Sequence, residues 1–134
     1  LELAYSPPFN TVLDPIHNTA HIAENIIYKR FKPISWEEVI KRLKEKDEKM
    51  LIVDVRTPNE AKDITQKYPN WINIPYQEAR NRIKELPKDK DLIIVCSVGA
   101  RAYEVVRWLK AEGFENVYVA LGGIVFPQSW GEKF

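Results

Sequence analysis

Apolar positions along this chain come in blocks, and the blocks differ in period. Met50 to Val53 with Val55 form one short run, and Leu92, Ile93, Ile94 and Val95 form another. Unbroken β-branched runs of this length predict strands buried on both faces, as in a parallel sheet. Beyond the second run the period lengthens: Ala102, Val105, Val106 and Leu109 recur at helical spacing, and Gly113 is placed to end that helix as its C′ residue. Between and around these, the pattern predicts a short edge strand over Phe31 to Ser35, where Pro33 is tolerated. A helix follows it, opened by the capping box Ser35-Trp36-Glu37-Glu38, with Trp36, Val39, Ile40 and Leu43 on one face. Thr57-Pro58-Asn59-Glu60 starts another helix, with cap, N1 proline and N3 glutamate in place. Ile72-Asn73-Ile74-Pro75 leads from a strand into a short charged helix ending at Leu86-Pro87, and Asn116 to Leu121 is the last strand. The alternation predicts an α/β domain over residues 29–134, a mostly parallel sheet of about five strands with helices on both faces. Lys41 to Lys49 reads as a solvated helix face and turn, and Phe126, Trp130 and Phe134 are expected to cover the edge of the core.

Residues 1–28 follow a different plan. Leu1, Leu3, Ala4 and Tyr5 precede Pro7-Pro8, and Asp14 can cap a helix with Pro15 at N1. Its apolar positions exceed what a small domain needs, so this segment reads as an arm made for another surface, such as that of a homodimer. His17 and His21 share a helix face at a spacing that suits a metal, but two ligands without a third make an incomplete site, and no metal is expected.

Composition narrows the class. The 134 residues, 45% of them hydrophobic, suffice for one ordinary domain and an appendage. Twenty basic and 19 acidic side chains are interspersed and nearly cancel, which argues against nucleic-acid or anionic-membrane partners. No apolar run approaches transmembrane length and no signal peptide pattern is visible, so a cytoplasmic location is expected. The chain opens at Leu1 and has its one methionine at Met50, which suggests a piece of something longer.

The candidate chemistry gathers at Cys96, the single cysteine, at the carboxyl end of the second apolar run. Cys96-Ser97-Val98-Gly99-Ala100-Arg101 lies between strand and helix, where amides without intrahelical partners and the positive end of the helix dipole can cradle an anion. With the Arg101 guanidinium, that environment favours a thiolate and makes Cys96 a nucleophile. Gly99 allows the loop to fold back, either for want of space or for a positive φ. The competing reading is a buried cysteine acting as a small hydrophobe.

The loop resembles the active loop of the rhodanese, or sulfurtransferase, family, in which a cysteine carries a persulfide whose terminal sulfur the loop amides hold. Four residues separate Cys96 from Arg101, one fewer than in the similar loop of tyrosine phosphatases. The ring suits one extra sulfur atom better than a tetrahedral anion. Asp54-Val55-Arg56-Thr57-Pro58-Asn59-Glu60 is similar to the same family's "DVRTPxE" signature. Asp54 and Arg56 then either orient the Cys96 loop from behind or form an ordinary buried salt bridge, with Arg56 more often structural. Gly122-Gly123 corresponds to a family glycine pair facing the loop; the plainer reading is a tight turn. The family's Gly-His-Ile-x-Gly-Ala run is replaced here by Tyr68-Pro69-Asn70-Trp71.

The first segment, "LELAYSPPFNTVLDPIHNTAHIAENI", is similar to the end of the dimerisation domain in pyridine nucleotide-disulfide oxidoreductases of the coenzyme A disulfide reductase and NADH oxidase type. "EARNRIKELPKDK" is similar to the rhodanese domains fused behind them. The resemblance implies a sulfurtransferase that passes a sulfane sulfur to a thiol or cyanide; with Ser97, Val98 and Ala100 uncharged and Arg101 the loop's one cation, the expected donor is a persulfide or polysulfide, coenzyme A persulfide among the candidates. It implies no cofactor in this chain; FAD and NAD(P)H would belong to a reductase domain upstream. Two other readings stay open: a non-catalytic docking or regulatory module of such a reductase, and a cysteine-dependent phosphatase or arsenate reductase.

Overall fold

The computed structural model describes residues 15–28 and 31–134. It divides into two units, residues 1–30 and Phe31–Phe134. In the first, α1 spans Pro15–Ile27, starting at the proline suited to an N1 position. Asp14, the rest of residues 1–14 and the side chain of His17 lie outside the described residues.

The second unit is built on five parallel strands. In chain order they are β1 (Lys32–Ile34), β2 (Met50–Asp54), β3 (Trp71–Asn73), β4 (Asp91–Val95) and β5 (Val117–Ala120). In space they run β1-β5-β4-β2-β3, every pairing parallel. The two runs read as buried strands are β2 and β4, in the interior of the sheet, and the proline-bearing strand is at an edge. Between them lie α2 (Trp36–Lys44), α3 (Pro58–Lys67), α4 (Tyr76–Arg82), α5 (Ala100–Ala111) and, after β5, α6 (Val125–Ser129).

The pleat sorts the apolar residues into two cores. Leu92, Ile94 and Cys96 point to the side covered by α4 and α5, where they meet Ala79, Ala102, Val105 and Leu109. Ile93 and Val95 point to the side of α2 and α3, among Trp36, Val39, Leu43, Ile64 and Trp71. Helices therefore lie on both faces, as the block pattern requires.

This layering also creates a crevice. The helix after β2 covers one face and leads to β3, whereas the helix after β4 covers the other and leads to β5. Neighbouring strands whose connections part to opposite faces leave an opening at their carboxyl ends, where α/β sheets bind ligands. Cys96 stands there, directly after the middle strand.

Local signals behave as their chemistry dictates. The Ser35 hydroxyl accepts the Glu38 N–H at 3.3 Å. At the end of α5, Gly113 N–H donates to Lys110 O and Phe114 N–H to Leu109 O, both at 3.1 Å, the paired bonds of a Schellman motif. Phe114 and Leu109 are both buried, which supplies its apolar contact. The stretch from Lys41 to Lys49 is less solvated than its charge suggests. Arg42 is largely buried and joins Asp47 at 2.7 Å and Asp91 at 2.8 Å, tying α2 to the turn before β2 and to the start of β4. These two carboxylates hold the guanidinium above its ordinary range despite its burial.

Candidate active site

Cys96 is 1% exposed, so its sulfur is buried at the carboxyl end of β4. The loop nevertheless turns toward it: Gly99 N–H donates to Cys96 Sγ at 3.0 Å. Gly99 is also the N-cap of α5, so that sulfur faces the first turn of a three-turn helix and the positive end of its dipole. The φ of Gly99 is +104°, and nothing lies within 4 Å of where its Cβ would be. Of the two reasons given for this glycine, the backbone angle is therefore the operative one.

Arg101 does not bond the sulfur directly. Its Nη2 donates to Ser97 Oγ at 3.3 Å, bracing the two ends of the loop against each other. The loop is strapped from outside by the turn after β5. Ile124 N–H donates to Cys96 O at 3.0 Å and Val125 N–H to Ser97 O at 3.3 Å. Gly123 makes these bonds possible: a Cβ there would stand 2.2 Å from Ser97 O and 2.5 Å from Val98 N. Gly122 is likewise covered, by the Phe126 ring, with a Cβ–Cβ approach of 2.9 Å if it carried one. Gly123 thus allows close packing on the loop, whereas Gly122 allows close packing within its own turn, against Phe126. Val98 and Ala100 are exposed at the rim.

Asp54 and Arg56 form a buried pair, with Arg56 Nη2 2.6 Å from Asp54 Oδ2 and Nε 3.0 Å from Oδ1. Trp71 Nε1 donates to the same carboxylate at 3.2 Å. Asn73 Nδ2 donates to Asp54 O at 2.8 Å and to Arg56 O at 2.9 Å, fixing the backbone where β2 ends. Asp54 is registered opposite Val95, one residue short of Cys96, so its side chain leaves the sheet on the other face from the thiol. Its connection to the loop runs through the backbone: Val55 N–H donates to Val95 O at 2.8 Å. Trp71 and Asn73 were not singled out as site residues from the sequence. The signal was present in the retained Ile72-Asn73-Ile74-Pro75 and in a tryptophan where the family has small residues, but only pairing of β3 with β2 brings them to Asp54.

Charges around the mouth are modest. Glu60, at the start of α3, is held below the usual carboxylate range mainly by the Thr57 hydroxyl and amide, with smaller pulls from Arg56 and Arg101. On the other side the Tyr76 hydroxyl donates to Glu104. That bond raises the phenol, while Arg80 and Arg101 work against it. Among the described residues no group of three or more His, Cys, Asp and Glu side chains is placed to hold a metal, and no helix is long and apolar enough to cross a membrane.

The aromatic residues of the last segment part company. Phe134 covers the core edge as expected, its ring 5.5 Å from those of Trp36 and Trp71. Phe126 and Trp130 do not; each is 47% exposed, and they pack edge to face on one another at 4.7 Å. The reason is α6, which is held to the active loop by its backbone and so carries these rings outward.

A recessed cysteine after the middle strand, with a glycine amide on its sulfur and an arginine closing the loop, agrees with a family comparison. The model of the rhodanese-like domain matches residues 35–126. This chain belongs to the rhodanese-like family. A sulfurtransferase of Allochromatium vinosum is 36% identical over 93 residues, covering 69% of this chain and 83% of that protein. The mitochondrial thiosulfate sulfurtransferase RDL2 of Saccharomyces cerevisiae is 33% identical, covering 69% of this chain and 70% of its own length. Among solved structures, reduced Bacillus anthracis CoADR-RHD is 36% identical, with a TM-score of 0.76 over 96% of this chain. An NAD-dependent persulfide reductase from A. fulgidus is 35% identical, with a TM-score of 0.73 over 94%. This rhodanese-like chain spans only 23% and 21% of those two proteins. Sulfur transfer is thus the activity of its family.

Proposed function

We propose that this chain is a sulfurtransferase that carries a sulfane sulfur on Cys96. The observation that carries the reading is the Gly99 amide aimed at Cys96 Sγ from 3.0 Å at a helix N-terminus. Donors preorganised around a sulfur stabilise negative charge there without reorganising during reaction. In the loading step the Cys96 thiolate attacks the outer sulfur of a persulfide R–S–S–H. A bond forms between Sγ and that sulfur, the original S–S bond breaks, and R–S⁻ leaves with its electron pair, giving Cys96–S–S–H. In the discharge step an acceptor thiolate takes the outer sulfur and Cys96 leaves as the thiolate; with the ionised persulfide and cyanide the product is thiocyanate. Each cycle is neutral in electrons, so no redox partner is needed. The chain has one cysteine, so the acceptor must come from outside it.

Ser97, Val98, Gly99 and Ala100 form the cradle, and Arg101 fixes its shape through Ser97. Asp54 and Arg56 hold the end of β2, and Gly122 and Gly123 let the last turn clasp the loop. With Arg101 the loop's one cation, a persulfide or polysulfide suits the site better than a dianion such as thiosulfate. The similarity to the persulfide reductase and to CoADR-RHD extends beyond residues 35–126, which supports a parent protein in which this domain follows a flavin reductase. In that setting coenzyme A persulfide is a candidate donor or product, FAD and NAD(P)H belong upstream, and the arm contributes to a dimer. A reactive thiol of this kind suits a reducing cytoplasm.

The burial of Cys96 favours one alternative, a docking or regulatory module that keeps the loop without turnover. Mass spectrometry decides between them. After exposure to glutathione persulfide the protein should gain one sulfur atom, mapped to Cys96 and absent from Cys96→Ser; an unchanged mass refutes sulfur transfer.

A further inference from the structure

Next to the recessed thiol is an apolar rim that the fold does not use. Val98 is 68% exposed at the apex of the active loop, and Val125, Phe126 and Trp130 are 51%, 47% and 47% exposed on and beside α6. Leu121, 38% exposed, completes the group at the end of β5. These positions are joined through the loop itself. Val125 N–H bonds Ser97 O, Gly123 abuts the peptide between Ser97 and Val98, and Phe126 lies over Gly122 and against Trp130. The wall is thus fixed to the same backbone that positions Cys96.

We propose that this rim binds the organic part of the sulfur donor, so that the site selects small persulfides R–S–S–H in which R is an apolar or aromatic arm. The inference rests on the sulfurtransferase reading and names the substrate class of that site. Two observations choose the occupant. Cys96 is 1% exposed, so the reacting sulfur must be delivered on a slender arm, which a cysteine on a folded protein surface does not provide. Two aromatic rings packed edge to face at 66° and each half-exposed offer an angled apolar surface against which such an arm can stay after its terminal sulfur has reached Cys96. Phe126 and Trp130 bind, and the chemistry stays with Cys96: its thiolate takes the outer sulfur, and R–S⁻ departs along the rim.

The test compares two donors and two readouts. The Phe126→Ser and Trp130→Ser variants, checked for an unchanged melting temperature, are loaded with benzyl persulfide and with inorganic polysulfide, which has no arm. The expected result is a fall of about tenfold in kcat/KM for benzyl persulfide, mostly in KM, with polysulfide unaffected. An equal loss with both donors, or none with benzyl persulfide, overturns the proposal. Binding of benzyl methyl sulfide, which cannot transfer sulfur, is followed by NMR in Cys96→Ser. Shifts at residues 121–130 that vanish in the Phe126→Ser background support the rim even if Cys96 transfers no sulfur, and their absence counts against it.

Discussion

Gly123 lies against the peptide that joins Ser97 to Val98, closely enough that a methyl group on it would stand 2.2 Å from Ser97 O. Its φ of +64° adds a second constraint. Gly123→Ala therefore has to displace the active loop or the turn after β5, and either movement breaks the bonds from Ile124 and Val125 to the loop carbonyls. Strain of this kind costs about 1 to 3 kcal/mol. The variant should melt lower and load sulfur on Cys96 far more slowly than wild type at a temperature where both are folded. Unimpaired loading would show that this contact does not position the loop.

The pair between Asp54 and Arg56 should act on stability more than on chemistry. Asp54 is fully buried and Arg56 is 7% exposed, so Arg56→Met leaves a carboxylate with only Trp71 Nε1 and a backbone amide for partners. Breaking a buried pair on one side costs about 3 to 5 kcal/mol. Urea denaturation should show a loss of that size. Sulfur transfer by the folded fraction should stay within about threefold of wild type, or about 0.7 kcal/mol in the barrier, because the carboxylate faces away from the thiol.

Arg101→Ala should behave in the opposite way. Arg101 is half-buried and braces Ser97 from 3.3 Å, so its loss leaves the core intact but frees the loop beside the sulfur. Sulfur transfer is expected to fall by about tenfold or more with a small change in melting temperature. Arg101→Lys, which keeps the charge without the planar fork, should recover only part of it.

The start of α3 has an acid-sensitive cap. Thr57 N–H and the Thr57 hydroxyl donate to the Glu60 carboxylate at 3.0 Å and 2.6 Å, and these bonds hold Glu60 below its ordinary range. A carboxyl depressed by folding stabilises fully above its unfolded pKa, and that stability is lost as the pH falls through its folded value. Thr57→Ala should cost about 1 kcal/mol at neutral pH. The difference from wild type should shrink as the pH falls through the acid range. Denaturation curves across pH 2 to 7, roughly the span over which carboxyls titrate, check it; a difference that does not vary with pH would rule out Glu60 as its source.

Much of this was legible in the residues alone. Periods of apolar positions are local properties, so Leu92 to Val95 announced a buried strand, Ala102 to Leu109 a helix, and Thr57 to Glu60 a cap, each from chemistry within one turn or one run. Cys96, Arg101, Asp54, Arg56 and the glycine pair were marked as belonging to one site by their resemblance to family signatures. What local chemistry could not supply was which of them touch.

By itself the sequence determined the elements, their order and the placing of a lone cysteine at a strand's carboxyl end, because strand and helix formation depends on neighbours a few residues away. Only the tertiary structure decided the rest. The crossing of β3 to the far side of β2 brought Trp71 and Asn73 to Asp54; the pleat sent Asp54 and Cys96 to opposite faces; and the docking of the turn after β5 onto Ser97 set Phe126 and Trp130 outside the core. Each of these joins residues many positions apart through register and backbone hydrogen bonding, which no local pattern encodes.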